Sequence, residues 1–211
     1  MIAEFAVQEE FWSVLPREFP TVDGATAESW FAELLALYTG VYGDAPEGVT
    51  EELLRIVEDA RAQILPDDVA TLLFRPLAVP VTSIAHIQLF DVGDDDVSAL
   101  LERALLPTID FAMAPVVVDF PTEALGRGTK AAFLAVVGED ASNPRAGLSY
   151  GFALGGHVVR VFTEPMAPAV LGYLEDPLDQ IVLRIRLVDG DLPGLEQLGR
   201  LAGEHGESSP L

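Results

Sequence analysis

Apolar and polar positions follow three different rhythms along this chain. Up to about Pro66 the apolar residues recur at helical spacing. Trp30, Leu34, Leu37, Tyr38 and Val41 share one face behind a capping Thr26, and Gly40 and Gly43 mark the end of that segment. Thr50 caps a second helix, with Val49 and Leu54 placed as a hydrophobic staple. Leu53, Val57, Ala60 and Ile64 form its buried stripe, and Pro66 stops it.

From Val69 to Glu164 the period shortens to that of strands. Val69–Leu77 and Ile84–Val92 are predicted strands around the turn-forming stretch Pro76–Pro80. A helix is expected at Val97–Leu106, capped by the Asp94–Asp96 run and closed by Pro107. Further strands are expected at Val116–Phe120, Thr129–Val137, Ser149–Leu154 and His157–Thr163. The last two flank Gly155-Gly156, a two-residue hairpin signal, because both positions can take positive φ. Hairpins pair strands antiparallel, so the sheet should be largely antiparallel.

The third rhythm begins at Asp176-Pro177, read as an N-cap followed by proline at the first helical position. Leu178, Ile181, Val182 and Ile185 then form one face of a helix over Asp176–Val188 that should lie on the sheet. Gly190 is a plausible stop, a short helix is placed at Pro193–Leu201, and GEHGESSPL reads as a frayed tail. The fold class expected is α+β: a mostly antiparallel β-sheet flanked by helices, with a helical N-terminal region. It forms a single domain over 1–202 (helical over 1–66, sheet plus helices over 69–190) with a flexible tail over 203–211.

The order of helix, strand pair, helix, antiparallel strands and a terminal helix such as LDQIVLRIRL resembles the PsbP-like α/β/α sandwich, a domain found in many small bacterial proteins. The resemblance covers about Val69 to Val188 and is one of layout. It brings no catalytic motif, and it implies a binding or assembly module. The helical first region departs from many members.

Composition narrows the chemistry. Among 211 residues there is no cysteine, which removes disulfides, thiolate metal sites and cysteine nucleophiles together. The formal charge is −22, from 34 acids against 12 bases, and Lys130 is the one lysine. Nucleic-acid binding draws on cations placed against phosphates, and an anionic membrane repels acids, so neither partner is expected. The longest apolar stretch, Phe111 to Val118, is far below the roughly 18 residues of a membrane span. The opening MIAEFAVQEEF is acidic where an export signal is basic, and a cytoplasmic location is expected. The charge reads as a solvated shell or as a docking face for a basic partner.

Four motifs invite a chemical reading. Gly147-Leu148-Ser149-Tyr150-Gly151 fits G-x-S-x-G, with aspartates and His205 following in hydrolase order. That pattern needs a strand, a sharp turn and a helix, whereas here a loop runs into a strand and a hairpin. Asp91–Glu102 places oxygen donors at three positions of a calcium loop, but Gly93 and Asp96 stand where a ligand and the bend glycine belong. Gly126-Arg127-Gly128-Thr129-Lys130 lacks the spacing of a phosphate loop and reads as a turn between strands. His86 shares a strand face with Gln88, a solvated or hydrogen-bonded face, and His157 follows the hairpin turn, where exposure is expected. Trp12, Phe19, Trp30 and Phe31 read as core, or as an aromatic groove against the sheet. No catalytic residue, cofactor or metal is expected. The function expected is a non-catalytic binding or protein-interaction module with a protein partner or a homo-oligomer; a serine hydrolase using Ser149 and a structural subunit are the alternatives.

Overall fold

In a computed structural model, residues 2–8, 10–15, 32, 35, 36, 39, 40, 49–76, 81–93, 96–136 and 143–188 are described, with the backbone alone at 2, 49, 50, 52–54 and 57. Seven strands form one antiparallel sheet in the order β2-β3-β4-β8-β7-β6-β5. They are β2 (Trp12–Leu15), β3 (Asp68–Phe74), β4 (Ser83–Asp91), β5 (Val116–Asp119), β6 (Gly128–Ala135), β7 (Arg145–Leu154) and β8 (His157–Thr163). A second, two-stranded sheet pairs β1 (Ile2–Glu4) with β9 (Arg186–Val188). Among the described residues the continuous helices are α1 (Val49–Arg61), α2 (Val97–Leu105) and α3 (Pro168–Val182), and residues 32, 35, 36, 39 and 40 are also helical.

Side-chain alternation divides the large sheet into two unlike faces. On one face Trp12, Leu72, Phe74, Ala85, Ile87, Leu148, Tyr150, Phe152, Val159 and Val161 meet Leu174, Leu178, Ile181 and Val182 of α3 in a single core cluster. The opposite face carries two smaller clusters. Ile56 and Ala60 of α1, with Ile64 beyond it, cover Leu15, Leu73 and Ile84. Leu100, Leu101 and Ala104 of α2 cover Phe90, Val92 and Val158. The result is three layers, with helices on both sides of the sheet.

Several local expectations hold for a stated reason. Gly155 and Gly156 adopt φ of +59° and +83° and close the β7–β8 hairpin in the register Leu154↔His157. Asp96 caps α2 by accepting a hydrogen bond from the Ser98 amide. Gly126, at φ +74°, sits in the turn leading into β6.

Two expectations are corrected. The N-terminal region is not uniformly helical, because it opens with the strands β1 and β2. Both are too short to show a period, and pairing decides them: Trp12↔Phe74 and Val14↔Leu72 place two apolar residues on the core face. The helix expected behind Thr26 lies mostly outside the described residues, as do the staple side chains, Phe19, Trp30, Phe31, the Pro193–Leu201 helix, His205 and the tail. The second correction concerns α3, which starts at Pro168 behind an extended Ala167 rather than at Asp176. The same proline signal occurs there, and the apolar stripe extends back through Leu174 and Leu171. Pro177 thus falls inside the helix, where it removes the amide that would bond the Tyr173 carbonyl. The stripe itself is buried as expected, with Ile185 in the turn before β9 and not in the helix.

Candidate functional site

Between the α1 and α2 clusters the second face carries a buried polar row. β3 contains a bulge between Asp68 and Ala70, one extra residue opposite the Ile87–Gln88 step of β4. The bulge turns Asp68 onto the face of Thr71 and His86, where simple alternation would aim it at the opposite core. Its carboxylate accepts hydrogen bonds from the Leu65 amide (3.0 Å), the Thr71 hydroxyl (2.6 Å) and Gln88 Nε2 (3.0 Å), and pairs with His86 Nδ1 at 2.7 Å. His86 Nε2 lies 3.2 Å from Glu164 Oε1, within ion-pair range though poorly aligned for a hydrogen bond. Arg160 stacks on Phe162 at 3.9 Å and donates to the side-chain oxygen Oε1 of Gln88 at 3.4 Å.

His86 is fully buried, so its face is hydrogen-bonded and not solvated. Burial pulls its pKa down, but the hydrogen bond to Asp68 and the neighbouring carboxylates of Asp68 and Glu164 outweigh that and hold it above the ordinary value. Asp68 is pushed up by burial and carried below the usual carboxylate range by its bonds to His86, Thr71 and the Leu65 amide. With Nδ1 paired to Asp68 and Nε2 buried beside Glu164, the ring has no exposed nitrogen to offer a substrate. It ties β3, β4 and the end of β8 together.

Ser149 lies on the same face, in the middle of β7 and not at a strand-to-helix turn. Its hydroxyl donates to the Ala104 carbonyl of α2 at 3.2 Å. Phe162 separates it from His86: Ser149 is paired with Phe162, and Phe162 with His86, whose ring it stacks on at 4.7 Å. Two strand spacings place the serine about 10 Å from the histidine backbone. The pair is aligned but not in reach.

The core face holds a second polar group. Lys130 Nζ is bound by Glu175 Oε1 (2.7 Å) and by both oxygens of Asp179 (2.8 and 2.9 Å), and Tyr150 donates to Asp179 at 2.5 Å. The rings of Phe120 and Tyr150 lie 5.7 and 5.5 Å from the ammonium. Burial lowers the lysine pKa, and the bonds and charges of Asp179 and Glu175 more than restore it. Burial, then the Asp179 bond and charge, push the Tyr150 phenol far above its ordinary range. Both groups stay protonated and engaged, unfit as nucleophile or base.

The open feature is the β5 edge. Every residue of β5 is exposed, with Val116, Val117 and Val118 at 60, 49 and 47%. Met113 and Ile109 continue the apolar surface. The opposite edge strand, β2, buries Trp12 and Leu15. The Phe120 amide bonds the Gly128 carbonyl, so alternation points Val116 and Val118 into the β6 ladder and leaves the amides of Val117 and Asp119 facing outward. Beside this edge, on the α2 side, Leu101, Glu102, Leu105, Thr129 and Gly151 line a cleft of about 220 Å³. Asp119 is paired with the lining residue Thr129.

The remaining sequence motifs stay apart. His157 pairs with Asp91 across the β4–β8 ladder at 2.5 Å, with the histidine largely covered and the aspartate exposed. Among the described residues no three acidic or histidine side chains converge as a metal requires, and no helix is long and apolar enough to cross a membrane. The β5 edge carried one legible sign: Val116-Val117-Val118 do not alternate with polar residues, and Pro115 and Pro121 bracket them, as befits an edge strand. Set against known protein families, curated proteins and solved structures, the chain matches none of them.

Proposed function

We propose that this protein is a non-catalytic interaction module that takes up an extended segment of another protein along the β5 edge. The observation that carries this reading is a four-residue strand, exposed on both faces, at the open side of a seven-stranded sheet. Exposed apolar edges are templates for pairing, and β-strand addition is a common mode of peptide recognition. The layout likeness to PsbP-like sandwiches, with their binding and assembly roles, agrees with it. Enzyme readings draw no support from the polar groups, because Ser149, His86, Lys130 and Tyr150 are each committed to internal partners. A photo-crosslinking residue at Val117, and separately at the exposed Tyr173 of α3, tests the proposal in the native host. A discrete protein adduct from position 117 alone, lost when Asp119→Pro removes an outward amide, is the expected result. Equal adducts from both positions, or none, would overturn it.

A further inference from the structure

The chemistry bordering the β5 edge narrows what can occupy it, provided the edge reading above stands. We infer that the occupant is a basic, aliphatic strand of another protein that places one long cationic side chain in the α2 cleft. The face of β5 on the α2 side of the sheet presents Val117 and then Asp119, in register with Ala131 and Thr129 of β6. A strand added at the Val117 and Asp119 amides continues that face. Its side chains there lie on the side of the cleft walled by Leu101 and Leu105, where the exposed Glu102 lines the cleft and the exposed Asp119 is in register with the lining residue Thr129. At about 220 Å³ the cleft is smaller than the roughly 300–1,000 Å³ of small-molecule sites, and it suits a single side chain. An apolar wall with carboxylates alongside matches lysine or arginine, whose methylene stem packs while the charged head stays in water.

Charge selects against a second copy as the occupant. Glu102, Asp110, Asp119 and Glu123 are exposed on the elements around β5, against Arg103 and Arg127. A second copy would bring the same acids and a net −22 to the same edge. Like charges placed together oppose association, whereas a basic strand is drawn in and oriented. Pro115 and Pro121 limit the pairing to a short segment, so affinity must come from the cleft as well as the backbone.

Fluorescently labelled synthetic octapeptides test this by polarisation at two salt concentrations. One alternates valine with arginine, one valine with glutamate, and one arginine with proline to carry charge without strand pairing. The expected result is at least ten-fold tighter binding of the valine–arginine probe than of either other peptide, weakening with salt. Val117→Pro, which leaves the β6 ladder bonds in place, and Glu102→Gln should each reduce it several-fold. If the arginine–proline probe binds as well, attraction to an acidic surface explains everything and the inference falls. If the valine–glutamate probe binds equally and Val117→Pro abolishes both, the edge reading survives and the basic occupant does not. If no probe binds and position 117 gives no adduct, both fall. Sedimentation showing a dimer that Val117→Pro makes monomeric would replace the basic strand with a second copy.

Discussion

Replacing Asp68 by asparagine keeps the shape of the buried row and removes its charge. Oδ2 serves three donors (the Leu65 amide, Thr71 and His86) while Oδ1 serves Gln88. An asparagine oxygen can hold the first three only as a neutral acceptor, and its amide then faces the Gln88 amide, donor against donor. Hydrogen bonds to a charged group contribute about 1.5–3 kcal/mol each and neutral ones about 0.5–1.5, so three weakened bonds amount to about 3 kcal/mol. Breaking a buried ion pair gives a similar figure, about 3–5 kcal/mol. For a chain of this length each kcal/mol moves Tm by about 2–4 °C, so Asp68→Asn should melt about 10 °C lower.

The pH dependence follows from the directions of the two shifts. Because the His86 pKa is raised, its contribution is complete below the ordinary 6.5 and is lost as pH rises through the folded value. Because that of Asp68 is lowered, its contribution is complete above the ordinary 3.8 and is lost as pH falls through the folded value. Urea denaturation of wild type and Asp68→Asn from pH 5 to 9.5 should therefore show the largest stability difference near pH 5–6, shrinking toward alkaline pH. Taking the difference cancels the many other carboxylates. A difference below about 1 kcal/mol, against the 3–5 expected for a broken buried pair, or one that grows with pH, would refute the charge pairing of His86 with Asp68.

Other tests bear on the rest of the fold. Ile181→Ala should cost about 2–5 kcal/mol in denaturant melts, since the residue is fully buried on the sheet-facing side of α3. Asp176→Ala, now an exposed position within the helix, should stay within about 0.5 kcal/mol; the reverse order would restore the cap at Asp176. A Cβ at Gly128 would land in the Phe152 ring, so Gly128→Ala should cost about 1–3 kcal/mol, read by thermal melting. In an alkaline ultraviolet titration one of the four tyrosines, Tyr150, should remain un-ionised until the protein unfolds, and Tyr150→Phe should remove that delayed step.

Elements whose signals are local were legible in the sequence. The Gly155-Gly156 hairpin, the Asp96 cap and the stripe of Leu178, Ile181 and Val182 each depend on residues within a turn or two of one another. The polar groups depend on register. Asp68 and His86 stand 18 positions apart, and only the bulge in β3 faces them; Lys130 and Asp179 stand 49 apart and meet because α3 crosses the sheet. The edge position of β5 is likewise a property of strand order, which pattern alone does not disclose. The first two strands were missed because three or four residues cannot display a period, and their partners lie far along the chain.

Lys130 being both solitary and caged gives the folded chain an unusual handle. Amine-directed reagents have no other side chain to address, and the one available is held by three carboxylate oxygens against two aromatic rings. A lysine-specific protease likewise has one peptide bond to cut, inside the paired strand β6. Cleavage there requires that strand to leave both neighbours, so fragments divided at residue 130 time the opening of the central sheet. The protein thus carries a single-site clock for its own unfolding, readable on a gel without any engineered label.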